Sequence, residues 1–171
     1  QGRELPWDGV SAGELKVRGP WVCSGYFRLD ESAAHDSDGW FATGDVAVID
    51  ADGYLHITDR AKDVIKSGGE WISSVDMENC ACGHPDVLMA AAIGVRHPKW
   101  EERPLLIVVP REGRTPACDS LLAHIGQHFA KWQLPDDVVL AEAIPLTATG
   151  KIDKKRLREQ YRDHLMQSPS G

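Results

Sequence analysis

Lys151 follows a short glycine-containing loop and precedes a basic segment, an arrangement that suits a side chain reaching an anionic ligand. The loop is Thr147-Ala-Thr-Gly150, and Lys154-Lys-Arg156 comes shortly after it. A lysine ammonium in this position can approach a carboxylate or phosphate oxygen and offset its negative charge. The same pattern is common in solvated loops before basic helices. Taken alone, the segment indicates carboxylate or phosphate chemistry and leaves the solvated alternative open.

Two upstream segments contain further groups that could contact a ligand. Asp45 follows Thr43-Gly44, where its carboxylate could close a local Asx turn or accept hydrogen bonds from vicinal hydroxyls. Gly68 and Gly69 could form a β turn with positive φ angles, or they could let a ligand pass close to the backbone. Trp71 follows on the same segment, and its ring could pack on a ligand or fill a domain interface.

The order and spacing of these segments resemble the C-terminal end of the adenylate-forming enzymes, which include acyl-CoA synthetases, firefly-type luciferases and the adenylation domains of peptide synthetases. The resemblance extends from Gly13-Glu-Leu-Lys-Val-Arg-Gly19 to Leu157. The stretches most similar to medium- or long-chain fatty acyl-CoA synthetases are Lys66-Ser-Gly-Gly-Glu-Trp-Ile-Ser73, His97-Pro-Lys-Trp100 and Glu102-Arg-Pro104. The resemblance therefore implies a ligase that joins a carboxylate to coenzyme A (CoA).

For the nucleotide chemistry, the resemblance implies roles for Lys151, Asp45 and Arg60. Lys151 would be the catalytic residue of adenylation, because its charge would stabilise the phosphate and carboxylate oxygens as they react. Asp45 would hold the ribose of the nucleotide, and Arg60 would assist it there. The implied cofactors are ATP, CoA and Mg²⁺, and the Mg²⁺ site is expected outside this chain.

For the CoA step, the resemblance implies that Gly68 and Gly69 line the path of the pantetheine arm of CoA, with Trp71 beside them. Lys62 would be the hinge about which a C-terminal lid rotates between the two half-reactions. On sequence alone, an exposed turn residue is the simpler interpretation of Lys62, so the hinge role depends on the resemblance.

The family's phosphate-gripping loop and the large domain that forms the acyl and adenine pockets do not occur in this sequence. We therefore expect a C-terminal fragment of a fatty acyl-CoA ligase, inactive alone. Its partners would be a fatty acid or other carboxylate and the missing N-terminal domain of the same polypeptide. The non-catalytic alternative is a CoA- or adenylate-sensing module, or an interaction domain. Luciferase-like oxidation and peptide-synthetase adenylation also stay open, although Glu70-Trp71 after the double glycine favours CoA.

Composition narrows the class of protein further. The chain has 171 residues, of which 42% are hydrophobic, enough for one core and part of a second domain. No apolar run approaches the roughly 20 residues of a membrane span and no secretory leader is visible, so we expect a cytoplasmic protein. The formal charge of -7 argues against nucleic-acid binding, which needs a basic face. The sequence does not indicate an oligomeric state.

Cysteine spacing argues against a metal site. Cys80, Cys82 and His84 are close in sequence, but residues at these spacings on a helix do not share one face, and no second cysteine pair follows. We therefore expect no metal site in this chain. Instead, we expect the four cysteines, Cys23, Cys80, Cys82 and Cys118, to be buried or half-exposed thiols in a reducing compartment.

The hydrophobic pattern predicts an α+β chain in two parts. Residues 1–59 would form the closing β subdomain of a large N-terminal domain, residues 60–62 the hinge, and residues 63–171 a small mixed α+β lid. In the first part we expect strands at residues 14–17, 46–49 and 54–58, with an Asp-Gly turn joining the last two. In the second part we expect a helix at residues 75–82 capped by Ser73. Further strands are predicted at residues 87–95, 105–109 and 138–142, and further helices at residues 115–131 and 153–164.

Overall fold

The structure is a computed structural model that describes residues 3–25 and 35–166. The chain forms two compact units, Gln1–Lys62 and Asp63–Gly171. Both contain β-structure, and the described helices lie in the second unit, so the chain is α+β as predicted.

The first unit contains a three-stranded antiparallel sheet in the order β1-β2-β3. Its strands are β1 (Gly13–Val17), β2 (Phe41–Ile49) and β3 (Leu55–Arg60). All three predicted strands are present. The middle strand is longer than predicted, because the Thr43-Gly44-Asp45 segment is itself part of β2 and pairs with neighbouring strands.

The predicted Asp-Gly turn between β2 and β3 is confirmed. A carboxylate oxygen of Asp50 accepts hydrogen bonds from the backbone N–H groups of Asp52 at 3.0 Å and Tyr54 at 2.9 Å. The bond from Tyr54 is the largest of the effects that lower the pKa of Asp50. Gly53 has a φ of 85°, which a residue without a side chain adopts at little cost. The turn therefore sets the register of the hairpin.

The second unit is built on a five-stranded sheet. Its strands are β4 (Ile65–Ser67), β5 (Glu70–Ile72), β6 (Val87–His97), β7 (Glu101–Pro110) and β8 (Asp137–Leu140). Its helices are α1 (Ser74–Cys82), α2 (Cys118–Ile125) and α3 (Lys154–Gln160). The strand order is β5-β4-β7-β6, and β8 pairs with β7 in parallel while the other pairs are antiparallel.

The long hairpin β6–β7 is buried on both faces, and this explains why its strands read as continuous apolar runs. One face packs with α1 and α2 through Met77 and Leu121, together with Ala90, Leu106 and their neighbours. The other face packs with α3 through Leu157. The core-forming side chains of the second face are Ala91, Ile93, Val95, Leu105, Ile107 and Ile144. The unit is thus a three-layer sandwich with the sheet in the middle.

Helix α1 matches its prediction. Ser73 is the N-cap, and its hydroxyl oxygen accepts the backbone N–H of Asp76 at 3.1 Å. This bond satisfies one of the N–H groups that have no partner within the helix.

The two later helices are shorter than predicted. Helix α2 begins only at Cys118 and ends at Gly126, whose N–H bonds to the carbonyl of Leu122 at 2.8 Å. Glycine is a poor residue for continuing a helix, so the chain continues as turns and a short 3₁₀ segment at Lys131–Gln133. Helix α3 ends at Gln160 and is followed by turns and a 3₁₀ segment at His164–Met166.

Strands β4 and β5 were not predicted, although the glycine turn between them was proposed. Each strand has only three residues, too few for the alternation of polar and apolar residues to be recognised. Ile65 and Ile72 are nevertheless fully buried and face each other across the pair. The isoleucine pair therefore anchors the hairpin in the core.

The cysteines are more exposed than predicted. Cys23, Cys82 and Cys118 are exposed thiols, and Cys80 is half-buried. Burial raises the pKa of the Cys80 thiol, which makes its reactive thiolate scarcer at neutral pH.

Lys154, at the start of α3, is almost completely buried and forms an ion pair in the core. Its Nζ donates to Ser74 Oγ at 2.6 Å and lies 2.9 Å from Glu78 Oε1, with both residues on α1. The same carboxylate oxygen accepts the backbone N–H of Ala92 on β6 at 2.9 Å. This polar cluster joins α1, the central sheet and α3. The expectation that the basic run forms a solvated helix face is therefore wrong for Lys154, while Lys155 and Arg156 are exposed.

The buried ion pair predicts how substitution of Glu78 changes the stability of the protein. Glu78→Ala leaves the Lys154 ammonium buried without its carboxylate, so we expect a loss of about 3–5 kcal/mol in the free energy of unfolding. Glu78→Gln keeps an acceptor of the same size and should cost clearly less. Urea denaturation followed by circular dichroism measures both variants. Equal and small losses, below about 1 kcal/mol, would show that the pair contributes little.

A second prediction concerns Glu101. It is the only described residue other than glycine with a positive φ, at 69°. Because a left-handed backbone strains a residue with a side chain, Glu101→Gly should raise the free energy of unfolding by about 1 kcal/mol. Glu101→Ala keeps the strain and serves as the matched control. Chemical denaturation compares the two, and a stabilised alanine variant would contradict the explanation.

Candidate functional site

The backbone around Lys151 is held in a closed turn. The N–H of Thr147 donates to the carbonyl of Lys151 at 2.7 Å, and the N–H of Lys151 donates to the hydroxyl of Thr147 at 3.2 Å. Gly150 has a φ of 77°, and its N–H donates to the carbonyl of Thr147 at 2.9 Å. An isolated β-bridge between Leu146 and Ile152 closes the base of the turn. The position of the Lys151 Cα is therefore well defined.

The side chain of Lys151 is available to a ligand. Lys151 is exposed, and among residues 3–25 and 35–166 no carboxylate lies within ion-pair distance of its ammonium. The neighbouring lysines differ, because Lys154 is buried against Glu78 and Lys155 lies 4.0 Å from Glu159. Lys151 thus presents a solvated positive charge on a rigid loop.

Helix α3 ties this loop to the core. The N–H of Asp153 donates to the carbonyl of Pro145 at 2.8 Å, and the Asp153 carboxylate caps the helix by accepting the N–H of Arg156 at 3.1 Å. One residue later, Lys154 enters the buried cluster with Glu78. The sequence contained a signal for this burial, because Lys154 lies one helical turn before the buried Leu157 on the same face.

Gly68 and Gly69 form the predicted tight turn. Their φ angles are 61° and 89°, and Ser67 pairs with Glu70 on either side of them. Two consecutive positive φ angles are typical of a type I′ hairpin turn. The N–H of Gly68 donates to the carbonyl of Trp100 at 3.0 Å.

The two glycines have different surroundings. A Cβ added at Gly68 would lie 3.0 Å from the ring of Trp100, whereas a Cβ at Gly69 would have no atom within 4 Å among the described residues. The backbone of Gly69 is therefore open to an approaching molecule. Gly68 is instead needed for close packing on Trp100.

Aromatic and basic side chains surround the turn. Trp71 is half-buried on β5 and pairs in register with Lys66 on β4. The ring of Trp100 is 42% exposed, and Lys99 Nζ lies 4.5 Å from its centroid. Trp100 lies in one of the segments that carry the family resemblance, and no role was predicted for it. In the structure, Trp100 is the residue that contacts the glycine turn.

In the first unit, the structure brings Asp45 and Arg60 together. They are register partners on β2 and β3, and Arg60 Nη1 lies 2.9 Å from Asp45 Oδ1. The Asp45 side chain is 17% exposed and that of Arg60 is 58% exposed. Gly44, with a φ of 76°, precedes Asp45, and its carbonyl accepts the N–H of Ala61 at 2.9 Å. The pair presents one carboxylate and one guanidinium side by side.

Lys62 is the last residue of the first unit, and its side chain is exposed. Its two neighbours are each attached to their own unit. The N–H of Ala61 bonds to Gly44 in the first unit, and the carboxylate of Asp63 accepts a hydrogen bond from Arg158 Nη1 at 2.8 Å in the second. Lys62 thus lies between two anchored residues.

The described part of the chain provides no metal site. No group of three or more His, Cys, Asp or Glu residues within it could hold a metal ion. His84 instead bonds through Nε2 to the hydroxyl of Ser120 at 3.0 Å, while Cys82 is exposed. We therefore assign Mg²⁺ to no residue of this chain. Within the same residues, no helix is long and apolar enough to cross a membrane.

Comparison with known proteins relates the chain to a family of enzymes. Residues 76–151 match the family described as the AMP-binding enzyme C-terminal domain. The chain is 59% identical over 164 residues to a 3-methylmercaptopropionyl-CoA ligase of Ruegeria pomeroyi, covering 96% of this chain and 30% of that protein. It is 53% identical over 167 residues to a long-chain-fatty-acid–CoA ligase of Thermus thermophilus, covering 96% of this chain and 31% of the relative.

Solved structures show the same fold. ATP-bound MatB from Rhodopseudomonas palustris superposes with a TM-score of 0.83 at 33% sequence identity, covering 96% of this chain and 33% of that one. The chain thus spans about 30% of the length of the curated relatives it matches. At residues 76–151 the chain therefore contains the C-terminal domain of the AMP-binding enzymes.

Proposed function

We propose that this chain is the mobile C-terminal part of an ATP-dependent acyl-CoA ligase. The observation that carries the proposal is the exposed Lys151 ammonium on a closed loop, in a chain closely similar to CoA ligases over 96% of its length. The same similarity to CoA ligases favours this activity over luciferase-like oxidation, peptide-synthetase adenylation and a non-catalytic module.

In the proposed first half-reaction, a carboxylate oxygen attacks the α-phosphorus of ATP. A new O–P bond forms, the bond to the leaving pyrophosphate breaks, and an acyl-adenylate remains. Negative charge increases on the oxygens around phosphorus, and the Lys151 ammonium stabilises it. The loop hydrogen bonds to Thr147 support this role, because they place the lysine before the reaction begins.

Asp45 and Arg60 are proposed to bind the nucleotide. The carboxylate of Asp45 would accept hydrogen bonds from the ribose hydroxyls, and Arg60, held 2.9 Å from it, would orient that carboxylate. The partial burial of Asp45 supports the assignment, because few solvent molecules compete for its oxygens.

In the proposed second half-reaction, the CoA thiol attacks the acyl carbon of the adenylate. The thiol loses its proton, a C–S bond forms, and AMP leaves with the bonding electrons of the C–O bond. The open backbone of Gly69 would line the pantetheine arm, with Gly68 shaping the turn and Trp71 beside it. Rotation at Lys62 would exchange the Lys151 loop for this turn at one active site. The unit boundary after Lys62 and its exposure support this assignment.

The substrate class is proposed to be a medium- or long-chain fatty acid or another carboxylic acid. Names of the relatives range from 3-methylmercaptopropionyl-CoA ligase to long-chain-fatty-acid–CoA ligase at comparable identity. A panel of both acid types with the full-length enzyme, ATP and CoA therefore tests the substrate. The N-terminal domain that would complete the enzyme and a cytoplasmic location are part of the same proposal.

Lys151→Ala in the full-length enzyme is expected to lower the rate of adenylation by about 10²–10³-fold, because one charge that stabilises the transition state is lost. Formation of acyl-CoA from supplied acyl-adenylate should be largely retained. Pyrophosphate exchange measures the first step, and CoA-dependent turnover of the adenylate measures the second. Lys155→Ala, which removes a neighbouring exposed charge, is the control and should leave both rates intact. Equal loss of both steps in Lys151→Ala would refute the assigned role.

Lys62→Pro is expected to slow formation of acyl-CoA and to spare adenylation. Proline fixes φ, so it should slow the second half-reaction while pyrophosphate exchange continues. Lys62→Ala keeps the torsional freedom and removes the same charge, so its overall turnover should stay close to that of the unmodified enzyme. Normal acyl-CoA formation by Lys62→Pro would exclude a hinge at this residue.

A further inference from the structure

Arg103 on β7 has an unusual environment for an arginine. Its side chain is only 11% exposed, and every guanidinium N–H has an acceptor. Nε and Nη2 lie 2.7 and 2.6 Å from Asp136 Oδ1, and Nη2 also donates to the carbonyl of Leu134 at 2.9 Å. Nη1 donates to the carbonyl of Trp132 at 2.6 Å and to the hydroxyl of Ser67 at 3.0 Å.

These bonds connect two segments that each have one backbone hydrogen bond nearby, from Gly68 N–H to the Trp100 carbonyl and from Asp136 N–H to the Pro104 carbonyl, both at 3.0 Å. Ser67 is the last residue of β4 and immediately precedes Gly68, and β4 pairs with β7 only at Ser67 and Glu101. The second segment, residues 132–136, leads into β8. A single guanidinium thus fixes the glycine turn and this segment to the same strand.

The neighbouring side chain, that of Glu102, also binds β4. Glu102 Oε2 accepts the backbone N–H of Lys66 at 3.1 Å, on the same short strand that ends at Ser67. Two consecutive residues of β7 therefore hold β4 through their side chains, where a longer strand would use backbone hydrogen bonds. The backbone pairing of β4 with β7 is limited to one residue pair, so these side-chain contacts contribute to the position of the turn.

We propose that Arg103 is a positioning residue for the CoA step, because it holds the Ser67–Glu70 turn where the backbone of Gly69 meets the pantetheine arm. The inference rests on the proposed function. Arg103 does not itself touch the substrate. Its effect is to keep the turn in one place, so that little ordering of the loop is left to occur when CoA binds.

A lysine cannot replace the arginine in this role. The guanidinium is planar and directs its donors toward four separate residues at once. A lysine ammonium is a compact group with three donors, and it cannot span the same partners. Arg103→Lys keeps the charge and most of the side-chain volume but releases part of the turn.

The test compares Arg103→Lys with the unmodified full-length enzyme in two assays. We expect the KM for CoA to rise about tenfold or more, while carboxylate-dependent pyrophosphate exchange stays close to that of the unmodified enzyme. Ser67→Ala removes only the bond from Arg103 to the residue before the turn. We expect it to raise the KM for CoA by a smaller factor than Arg103→Lys does. A purely structural arginine would instead lower both activities together, in proportion to lost folded protein.

Ile107→Val is the control for stability, because this residue is buried in the cluster that packs with α3 and is not one of the residues that bond to Arg103. It should lower the melting temperature without changing the KM for CoA. An unchanged KM for CoA in Arg103→Lys, with the unmodified enzyme active, would overturn the positioning role alone. An unmodified enzyme that makes acyl-adenylate but no acyl-CoA would overturn the proposed function itself.

Discussion

Burial of both faces of the β6–β7 hairpin is the constraint on which the second unit depends. With α1 and α2 on one face and α3 on the other, the central strands are covered on both faces. The groups proposed to act on substrates lie on loops at the edges of the sheet. The Lys151 loop and the glycine turn are both such loops, and each is connected to the sheet by short elements.

Two buried cations make those connections. Lys154 links the helix after the Lys151 loop to α1 and β6, and Arg103 links the glycine turn to β7. Burying a charge in a core is costly unless it has bonding partners, and both side chains bond to a carboxylate and to further polar groups. An apolar side chain could fill the same volume but would not fix the direction of a loop. Specific placement of the two loops is a reason to retain charged groups in this small core.

The sequence allowed much of this arrangement to be predicted, because the features involved are local. The Asp-Gly hairpin, the Ser73 cap and the apolar strands each depend on a few neighbouring residues. The resemblance implied nucleotide-binding roles for Asp45 and Arg60, and the ion pair between them is a finding of the structure. Arg103 and the burial of Lys154 were not predicted, because their partners are distant in sequence and a basic residue usually lies at the surface. Strands β4 and β5 are too short to show a periodic pattern of apolar residues. Helix α2 is shorter than predicted because it ends at Ile125, before Gly126.

The placement of Lys62 between two anchored neighbours has a consequence for how the proposed rotation would proceed. Ala61 is attached to Gly44 and Asp63 to Arg158, so the rotation would have to be absorbed by a few backbone torsions around Lys62. A lid connected in this way would move along a narrow arc, unlike a domain that explores space on a flexible tether. The effective concentration of each loop at the active site would then be set by an angle, independent of linker length.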